Sequence, residues 1–245
     1  MEAPWRQWTL RDSPLVPSSF RLFCFPYAGG GASAFLRWQG LFPHGIDLVP
    51  VQPPGRENRA DEPVPASCEA LLESMGNALA PLLSPNMAFW GHSMGGHVAC
   101  AFARWLEDRG GPVPRHLFLT ATPPPPPPGA PARTVGDLLA LSDGIPDAVR
   151  ACPPIMEAFL RTARADCVLL ADLVRHAAPV RVPASVLAGS QDPLAPATGM
   201  ERWKDLLAAG FSLDVFEGGH FFPRAHRDEV AGLVSDTLLL YLFQG

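Results

Sequence analysis

The amino-acid sequence predicts an α/β fold in which a mostly parallel central sheet is covered by helices on both faces. Six short apolar runs, rich in β-branched and aromatic residues, alternate with longer segments whose apolar residues recur at helical spacing. The runs are nearly continuous in hydrophobicity, which is typical of strands buried on both faces of a parallel sheet. With 245 residues, of which 47% are hydrophobic, the chain can build one domain with a large core.

The elements can be placed along the chain from these patterns. The predicted strands are 20–25, 46–51, 87–91, 116–121, 184–189 and 212–217. The predicted helices are 33–41, 67–83, 94–109, 198–209 and 225–243. We therefore expect a single domain over 1–245, without internal repeats.

One interval breaks the alternation of strands and helices. It opens with six consecutive prolines at 123–128, which favour a stiff polyproline II stretch, and continues with helical patterns to about 178. It is either a linker to a surface helix pair or a helical lid inserted between two strands, over a binding site. Its position between the strands at 116–121 and 184–189 favours a lid insertion at approximately 129–180.

Composition and charge exclude several classes of protein. A formal net charge of −5 argues against a nucleic-acid partner. The first residues lack the apolar core of a signal peptide, and no run approaches the roughly 18 apolar residues of a membrane span. The five cysteines are odd in number and contain no C-x-x-C pair, which favours reduced thiols over a disulfide framework or a zinc site. We expect a cytoplasmic monomer.

The segment Gly91-His92-Ser93-Met94-Gly95 matches the catalytic motif G-x-S-x-G. In this pattern a serine occupies a strained strand-to-helix turn that leaves no room for side chains two residues away on either side. Here the motif follows an apolar run and opens a helical pattern, which is the context that the turn requires. The sequence therefore predicts an α/β-hydrolase fold with Ser93 as nucleophile.

A serine hydroxyl needs a base to accept its proton, and in this fold the partners follow in the order serine, acid, histidine. Of the seven histidines, His220 and His226 follow the last predicted strands. His220 comes directly after the strand at 212–217, so it is the predicted base. His226 is expected in the final helix and solvated, His97 is expected to point away from the turn, and His92 to pack locally.

The acid should follow a strand and precede that histidine. Asp192 follows the strand at 184–189 directly, whereas Asp205 is predicted in a helix and Asp214 within a strand. Asp192 is therefore predicted to hold His220 in the required tautomer and to stabilise its imidazolium form.

Two backbone N–H groups should stabilise the oxyanion. One is predicted from Met94, and the second from the glycine-rich loop after the first strand, with Ala28 or Tyr27 as donor. Such a loop can also bind phosphate, but the lysine of a P-loop is missing and G-x-G-x-x-G is incomplete, which argues against nucleotide binding. No metal or organic cofactor is predicted.

Six segments together resemble the type II thioesterases, which are stand-alone α/β-hydrolases associated with polyketide and non-ribosomal peptide synthases. They are FPYAGGGASAF, QPPGRE, GHSMGG, RAD, GSQDPLAP and GGHFFP, in this order between about 20 and 240. The resemblance implies hydrolysis of acyl groups from the phosphopantetheine arm of acyl or peptidyl carrier proteins. It implies Ser93, Asp192 and His220 as triad, and Ala28 and Met94 as oxyanion donors. It also implies that 129–180 is the family's lid.

Several alternatives stay open from the sequence. A medium-chain acyl thioesterase of fatty acid synthesis or a generic carboxylesterase could use the same triad, and a non-catalytic carrier-binding scaffold could share the fold. Because carrier proteins are generally acidic, a docking surface should be locally basic. Its candidates are Arg56, Arg59, Arg161 and Arg164, which could equally form an ordinary solvated surface. Arg56 and Glu57 could instead brace the loop after the second strand.

Overall fold

The computed structural model describes residues 3–10, 20–127, 129–141, 145 and 147–243. Its strands are β1 (Phe20–Phe25), β2 (Ile46–Pro50), β3 (Met87–His92), β4 (Leu117–Thr120), β5 (Ala184–Gly189) and β6 (Phe211–Phe216). All six predicted strands form, and no strand end differs from its prediction by more than one residue.

The six strands form one parallel sheet in the order β2-β1-β3-β4-β5-β6. The chain passes from β2 across β1 to β3, so the loops that follow β1 and β3 leave the sheet side by side, with Phe25 opposite Gly91. Gly189 at the end of β5 likewise lies opposite Phe216 at the end of β6. In open α/β sheets, ligands bind at the carboxyl ends of the strands near such a reversal of strand order.

The described helices are α1 (Cys68–Leu79), α2 (Met94–Asp108), α3 (Val135–Leu139), α4 (Asp147–Arg150), α5 (Pro153–Arg175), α6 (Ala197–Met200) and α7 (Arg227–Phe243). Two predicted helices are replaced wholly or partly by 3-10 helix. Ala32–Trp38 is 3-10 throughout, and the predicted helix at 198–209 consists of α6 followed by the 3-10 turn Glu201–Asp205. With three residues per turn, a 3-10 helix aligns Phe35 with Trp38, and both rings contact Trp90.

Both faces of the sheet are buried, as the continuous apolar runs predict. On one face, Phe23 and Phe89 pack with α1, α2 and the later part of α5. On the other face, Leu22 and Trp90 pack with the 3-10 helix and α7. Neighbouring strand residues therefore alternate between two cores, and the predicted α/β-hydrolase architecture is confirmed.

The interval between β4 and β5 contains the helices α3, α4 and α5, and we call residues 129–180 the helical insert. Part of the proline run, 123–127, precedes it without regular secondary structure, and Pro128 lies outside the described residues. One face of α5 points inward at spacings of three and four residues; its members are Phe159, Thr162, Asp166, Leu169 and Leu173. Within the described ranges, no helix combines the length and apolarity that crossing a membrane requires.

Candidate active site

Ser93 lies at a sharp turn between β3, which ends at His92, and α2, which begins at Met94. Its backbone has φ 56° and ψ −117°, a conformation that residues other than glycine rarely adopt. The surrounding chain holds this geometry, because the Ser93 amide donates to the Thr120 carbonyl at 2.8 Å. The Thr122 hydroxyl also donates to the Ser93 carbonyl at 3.1 Å.

The glycines that flank the serine are required for steric reasons, as the motif predicts. A Cβ atom on Gly91 would lie 2.3 Å from the carbonyl carbon of Gly95. A Cβ atom on Gly95 would lie 2.0 Å from the carbonyl oxygen of Phe25. Both distances are shorter than any tolerated contact, and the opposing atoms are backbone. The turn can therefore close against the end of β1 only when both positions are glycine.

Asp192 and His220 meet at the end of the neighbouring strands β5 and β6. The Nδ1 atom of His220 lies 2.8 Å from Oδ2 of Asp192, and both side chains are almost completely buried. The other carboxylate oxygen of Asp192 accepts the amides of Leu194 and Ala195 at 2.9 and 3.1 Å. Because an ionised carboxylate can only accept, His220 donates from Nδ1, and its Nε2 is left as the acceptor.

Ser93 and His220 line the same small cavity, although no hydrogen bond joins their side chains in the part of the chain that the structure describes. The cavity has a volume of about 10 Å³, enough for about one water molecule. Its lining residues are Tyr27, Ala28, Ser93, Leu138, Leu141, Ile145, Phe159, His220 and Phe221. Serine–base hydrogen bonds are often long before substrate binds, so this separation is compatible with a nucleophile and its base.

The backbone amides of Ala28 and Met94 are available for a ligand. Among the described residues, neither amide has a hydrogen-bond acceptor within the protein. The next amide, that of Gly29, already donates to Oδ2 of Asp166 at 2.7 Å. Ala28 lines the cavity with Ser93, and Met94 begins the helix whose N-terminal dipole favours negative charge at this position.

The remaining histidines of this region do not take the place of His220. His92 stacks on Phe221 and lies with its ring centre 5.3 Å from that of His220, and burial holds its pKa well below the usual value. It is a neutral packing neighbour, as expected. The prediction for His226 is wrong in one respect: it precedes α7 and bonds to Glu229 and the Glu217 carbonyl, and its bond to Glu229 raises its pKa.

His97 belongs to a separate and larger cavity of about 420 Å³, which lies between the start of α1, one face of α2 and the C-terminal end of α5. Its ring lies 6.0 Å from that of Trp203, and burial is the main cause that lowers its pKa to about 4. Ser93 does not line this cavity. His97 therefore points away from the serine turn, as predicted.

Two of the four arginines proposed for a basic docking surface are not on the surface. Arg56 and Arg59 are each only 7% exposed. Arg56 forms a two-pronged ion pair with Asp166 on α5, and Arg59 binds Glu62 and the Gln52 carbonyl. The docking prediction is wrong for both, because their guanidinium groups bind partners within the protein. The segments that contain Arg56 and Asp166 were both singled out in the sequence, but they are 110 positions apart and their pairing was missed.

Fold and site together define a serine hydrolase of the α/β-hydrolase class. A family model for the thioesterase domain matches residues 20–238. The thioesterase PikA5 of Streptomyces venezuelae is 32% identical, over 95% of this chain and 86% of its own. The solved structure of the RedJ thioesterase from the prodiginine pathway of Streptomyces coelicolor superposes with a TM-score of 0.78 at 29% identity, covering 92% and 90% of the two chains.

A third relative, the solved structure of YbtT, is a type II thioesterase from the yersiniabactin NRPS/PKS pathway. It superposes with a TM-score of 0.74 at 27% identity, and covers 91% of this chain and 94% of its own. The chain belongs to the thioesterase family. The resemblance to type II thioesterases is thereby confirmed, and the protein is a thioester hydrolase.

Proposed function

We propose that this enzyme removes acyl groups from the phosphopantetheine thiol of acyl or peptidyl carrier proteins, with Ser93, His220 and Asp192 as its catalytic triad. The observation that carries the proposal is the Asp192–His220 hydrogen bond of 2.8 Å beside a serine at a strained strand-to-helix turn. Membership of the thioesterase family supports a thioester as the bond that is broken. Relatives from the prodiginine and yersiniabactin pathways support a biosynthetic carrier protein as the bearer of that thioester.

The first half of the reaction transfers the acyl group to the enzyme. The Ser93 oxygen forms a bond to the thioester carbonyl carbon while its proton passes to Nε2 of His220. The carbonyl electron pair moves onto oxygen, where the amides of Met94 and Ala28 stabilise the negative charge. As the carbonyl re-forms, the carbon–sulfur bond breaks, and the imidazolium returns its proton to the departing pantetheine thiolate.

The second half releases the acyl group as a carboxylic acid. Water gives its proton to His220 as its oxygen attacks the acyl-serine, and the same amides stabilise the second tetrahedral intermediate. The carbon–oxygen bond to Ser93 then breaks, and the serine recovers its proton from His220. Asp192 stays ionised throughout, since its role is to orient the imidazole and stabilise its charged form.

The helical insert would act as the lid of this site within a single domain. Leu138 of α3, Leu141 and Ile145 beyond the end of α3, and Phe159 of α5 line the cavity that contains Ser93. Because that cavity holds only about 10 Å³, an acyl chain can enter only when some of these side chains move. Arg161 and Arg164 lie on the exposed face of α5, where an acidic carrier protein could dock.

Mass spectrometry of a carrier protein loaded with assorted acyl groups tests the proposal. Treatment with the wild-type enzyme should return the free-thiol carrier for at least some of the acyl groups. The Ser93→Ala variant should leave all of them loaded, at the rate of the enzyme-free control. A simple aryl ester assayed in parallel separates carrier-directed hydrolysis from general esterase activity.

Two outcomes would overturn parts of the proposal. Equal unloading by wild-type enzyme and Ser93→Ala would remove Ser93 from catalysis. Rapid hydrolysis of the aryl ester together with untouched carriers would instead assign a general carboxylesterase. Labelling by a fluorophosphonate, which bonds covalently to an activated serine, should add its mass to the tryptic peptide that contains Ser93 and to no other.

A further inference from the structure

The glycine-rich loop that contains the Ala28 amide packs against α5 of the helical insert. Phe159 and Asp166 are two turns apart on the inward face of α5, and both contact this loop. A Cβ atom on Gly29 would lie 2.6 Å from the Phe159 ring, and the φ of Gly29 is +78°, so the loop passes directly beneath the ring in a conformation that favours glycine. The carboxylate of Asp166 then accepts the Gly29 amide at 2.7 Å.

Arg56 binds both Asp166 and the loop, and we call Asp166 and Arg56 together the loop anchor. Its two terminal nitrogens donate to the two oxygens of Asp166 at 2.7 and 2.8 Å, and one of them also donates to the Gly30 carbonyl at 3.1 Å. Its Nε donates to the Pro54 carbonyl at 3.1 Å. Asp166 is fully buried and Arg56 nearly so. The ion pair therefore binds one amide and one carbonyl of the glycine-rich loop.

These contacts restrict the orientation of the Ala28 amide. The N–H of Gly29 donates to Asp166, and the carbonyl of Gly30 accepts from Arg56. Both bonds hold peptide groups that lie on the C-terminal side of the Ala28 amide. The Gly30 amide is also committed, since it donates to the Tyr27 carbonyl at 2.9 Å. Because the Tyr27 carbonyl and the Ala28 N–H belong to one planar peptide group, this bond also holds the direction of the Ala28 N–H.

We propose that Asp166 and Arg56 are positioning residues for the oxyanion-stabilising amide of Ala28, and that they make its placement depend on the seating of α5. The inference rests on the proposed role of Ala28 in the thioesterase reaction. Neither side chain touches the substrate; they act through the backbone of the loop. A consequence is that displacement of α5 would open the acyl cavity and release the Gly29 amide in the same movement.

The test compares Asp166→Asn with the matched variant Asp172→Asn. Asp172 lies on the same helix and also accepts a backbone amide from another element, that of Cys68 at 2.8 Å, but it does not contact the glycine-rich loop. An asparagine at 166 loses the charge, and its NH₂ group places a donor where Oδ1 now accepts from Arg56, so the two-pronged pair is lost. Because a misplacement of about 1 Å can cost about 100-fold in rate, kcat for a small soluble thioester should fall about 10- to 100-fold, with KM within about threefold.

Three further measurements separate positioning from simple destabilisation. The rate constant for phosphonylation of Ser93 by a fluorophosphonate, whose developing oxyanion uses the same amides, should fall in parallel with kcat in Asp166→Asn. Asp172→Asn should keep both rates within about twofold at a temperature well below unfolding. Arg56→Lys, which keeps the charge but loses the two-pronged geometry, should show an intermediate loss.

The variants also form a double-mutant cycle. Adding Arg56→Lys to Asp166→Asn should cost little more than Asp166→Asn alone, because both changes break the same anchor. Should Asp166→Asn not fold, the apolar pair Arg56→Met with Asp166→Leu removes both charges at once and should show the same fall in kcat. Equal kinetics in Asp166→Asn and Asp172→Asn, with activity that still requires Ser93, would overturn the positioning role alone. Activity that survives Ser93→Ala would instead overturn the proposed function.

Discussion

The imidazole of His220 donates from Nδ1 to Oδ2 of Asp192 at 2.8 Å, although the two residues are 28 positions apart. Each follows its own strand, and the two strands are neighbours, so the sheet brings the side chains together without a long reach. The second oxygen of Asp192 is fixed by two backbone amides of its own loop. The loop amides therefore fix the orientation of the Asp192 carboxylate, and the carboxylate in turn fixes the orientation of His220.

This arrangement predicts a large effect for Asp192→Asn. If the amide oxygen keeps the bonds to Leu194 and Ala195, the NH₂ group faces Nδ1 of His220 and must donate to it. The histidine then carries its proton on Nε2 and cannot accept one from Ser93. We expect kcat for a small thioester to fall by about 10⁴-fold, the loss seen when a triad histidine is held in the wrong tautomer.

The control for this prediction is Asp205→Asn, which changes an exposed aspartate at the end of a 3-10 turn. It should keep wild-type kcat. Steady-state kinetics at pH 8 measures both variants, and circular dichroism checks that each is folded. More than a tenth of wild-type kcat in Asp192→Asn would contradict the triad assignment.

Much of this site could be predicted from the sequence because its chemistry is encoded locally. Gly91, Ser93 and Gly95 fall within one five-residue motif, and a Cβ atom on Gly91 would clash with the backbone of Gly95 inside that motif. Asp192 and His220 each follow an apolar run that the sequence identifies as a strand. The order of these elements along the chain was enough to select them from other acids and histidines.

The features that were missed depend on contacts between distant parts of the chain. No local pattern indicates that Arg56 should be buried, since its partner Asp166 comes from a helix 110 positions later. The same limit applies to the 3-10 helix Ala32–Trp38, whose Phe35 and Trp38 rings contact Trp90 of β3, more than 50 positions later. The order of the strands in the sheet also depends on packing, and the apolar runs that identify the strands do not indicate it.

The small cavity at Ser93 predicts that Phe159 limits acyl-chain length. Its ring lies among the residues that close the cavity. Phe159→Ala should raise the ratio of kcat/KM for a decanoyl over a propionyl thioester by about tenfold or more, since each added buried CH₂ is worth about 0.8 kcal/mol. The measurement is a chain-length series of soluble acyl thioesters on wild-type and variant enzymes.

Ile155→Ala is the matched control for the chain-length experiment. Ile155 lies on the same helix but is 51% exposed, so its removal should leave the ratio unchanged. A Phe159→Ala ratio equal to that of wild type would mean that another part of the insert sets the length of the acyl chain.

The exposed face of α5 predicts a charge-dependent interaction with carrier proteins. Arg161 and Arg164 are both exposed and three residues apart, so they lie on one side of the helix. Reversing both to glutamate should raise KM for an acidic acyl-carrier substrate about tenfold at low salt, because complementary charges mainly accelerate association. The kinetics of a small soluble thioester should be unchanged.

Arg181→Glu serves as the reference for this charge reversal. Arg181 is 80% exposed but lies beyond the end of α5, just before β5. It should affect carrier unloading by less than twofold. Equal losses on the carrier and on the small thioester in the Arg161→Glu/Arg164→Glu variant would indicate a disturbed helical insert and remove these arginines from docking.

Far from the active site, His116 predicts a pH-dependent contribution to stability. It is buried beside β4, and its ring nitrogens lie 3.1 Å from the Tyr241 hydroxyl and 3.0 Å from the Ser185 hydroxyl. Burial lowers its pKa from 6.5 to about 4. As the pH falls below about 6.5, the unfolded chain therefore takes up this proton while the folded protein does not, and stability is lost until about pH 4, where the folded state is protonated too.

One proton of difference corresponds to a slope of about 1.4 kcal/mol per pH unit in the free energy of unfolding. His116→Gln removes the titrating group and keeps a side chain that can hydrogen-bond both hydroxyls. Urea unfolding of wild type and variant between pH 4.5 and 8 should show curves that run parallel above about pH 7. Below about pH 6 they should converge, because the wild type loses stability faster than the variant. His44→Gln, which replaces an exposed histidine by the same residue, supplies the reference for the substitution itself. A constant difference between wild type and His116→Gln across the whole range would show that the folded protein protonates His116 as readily as the unfolded chain does.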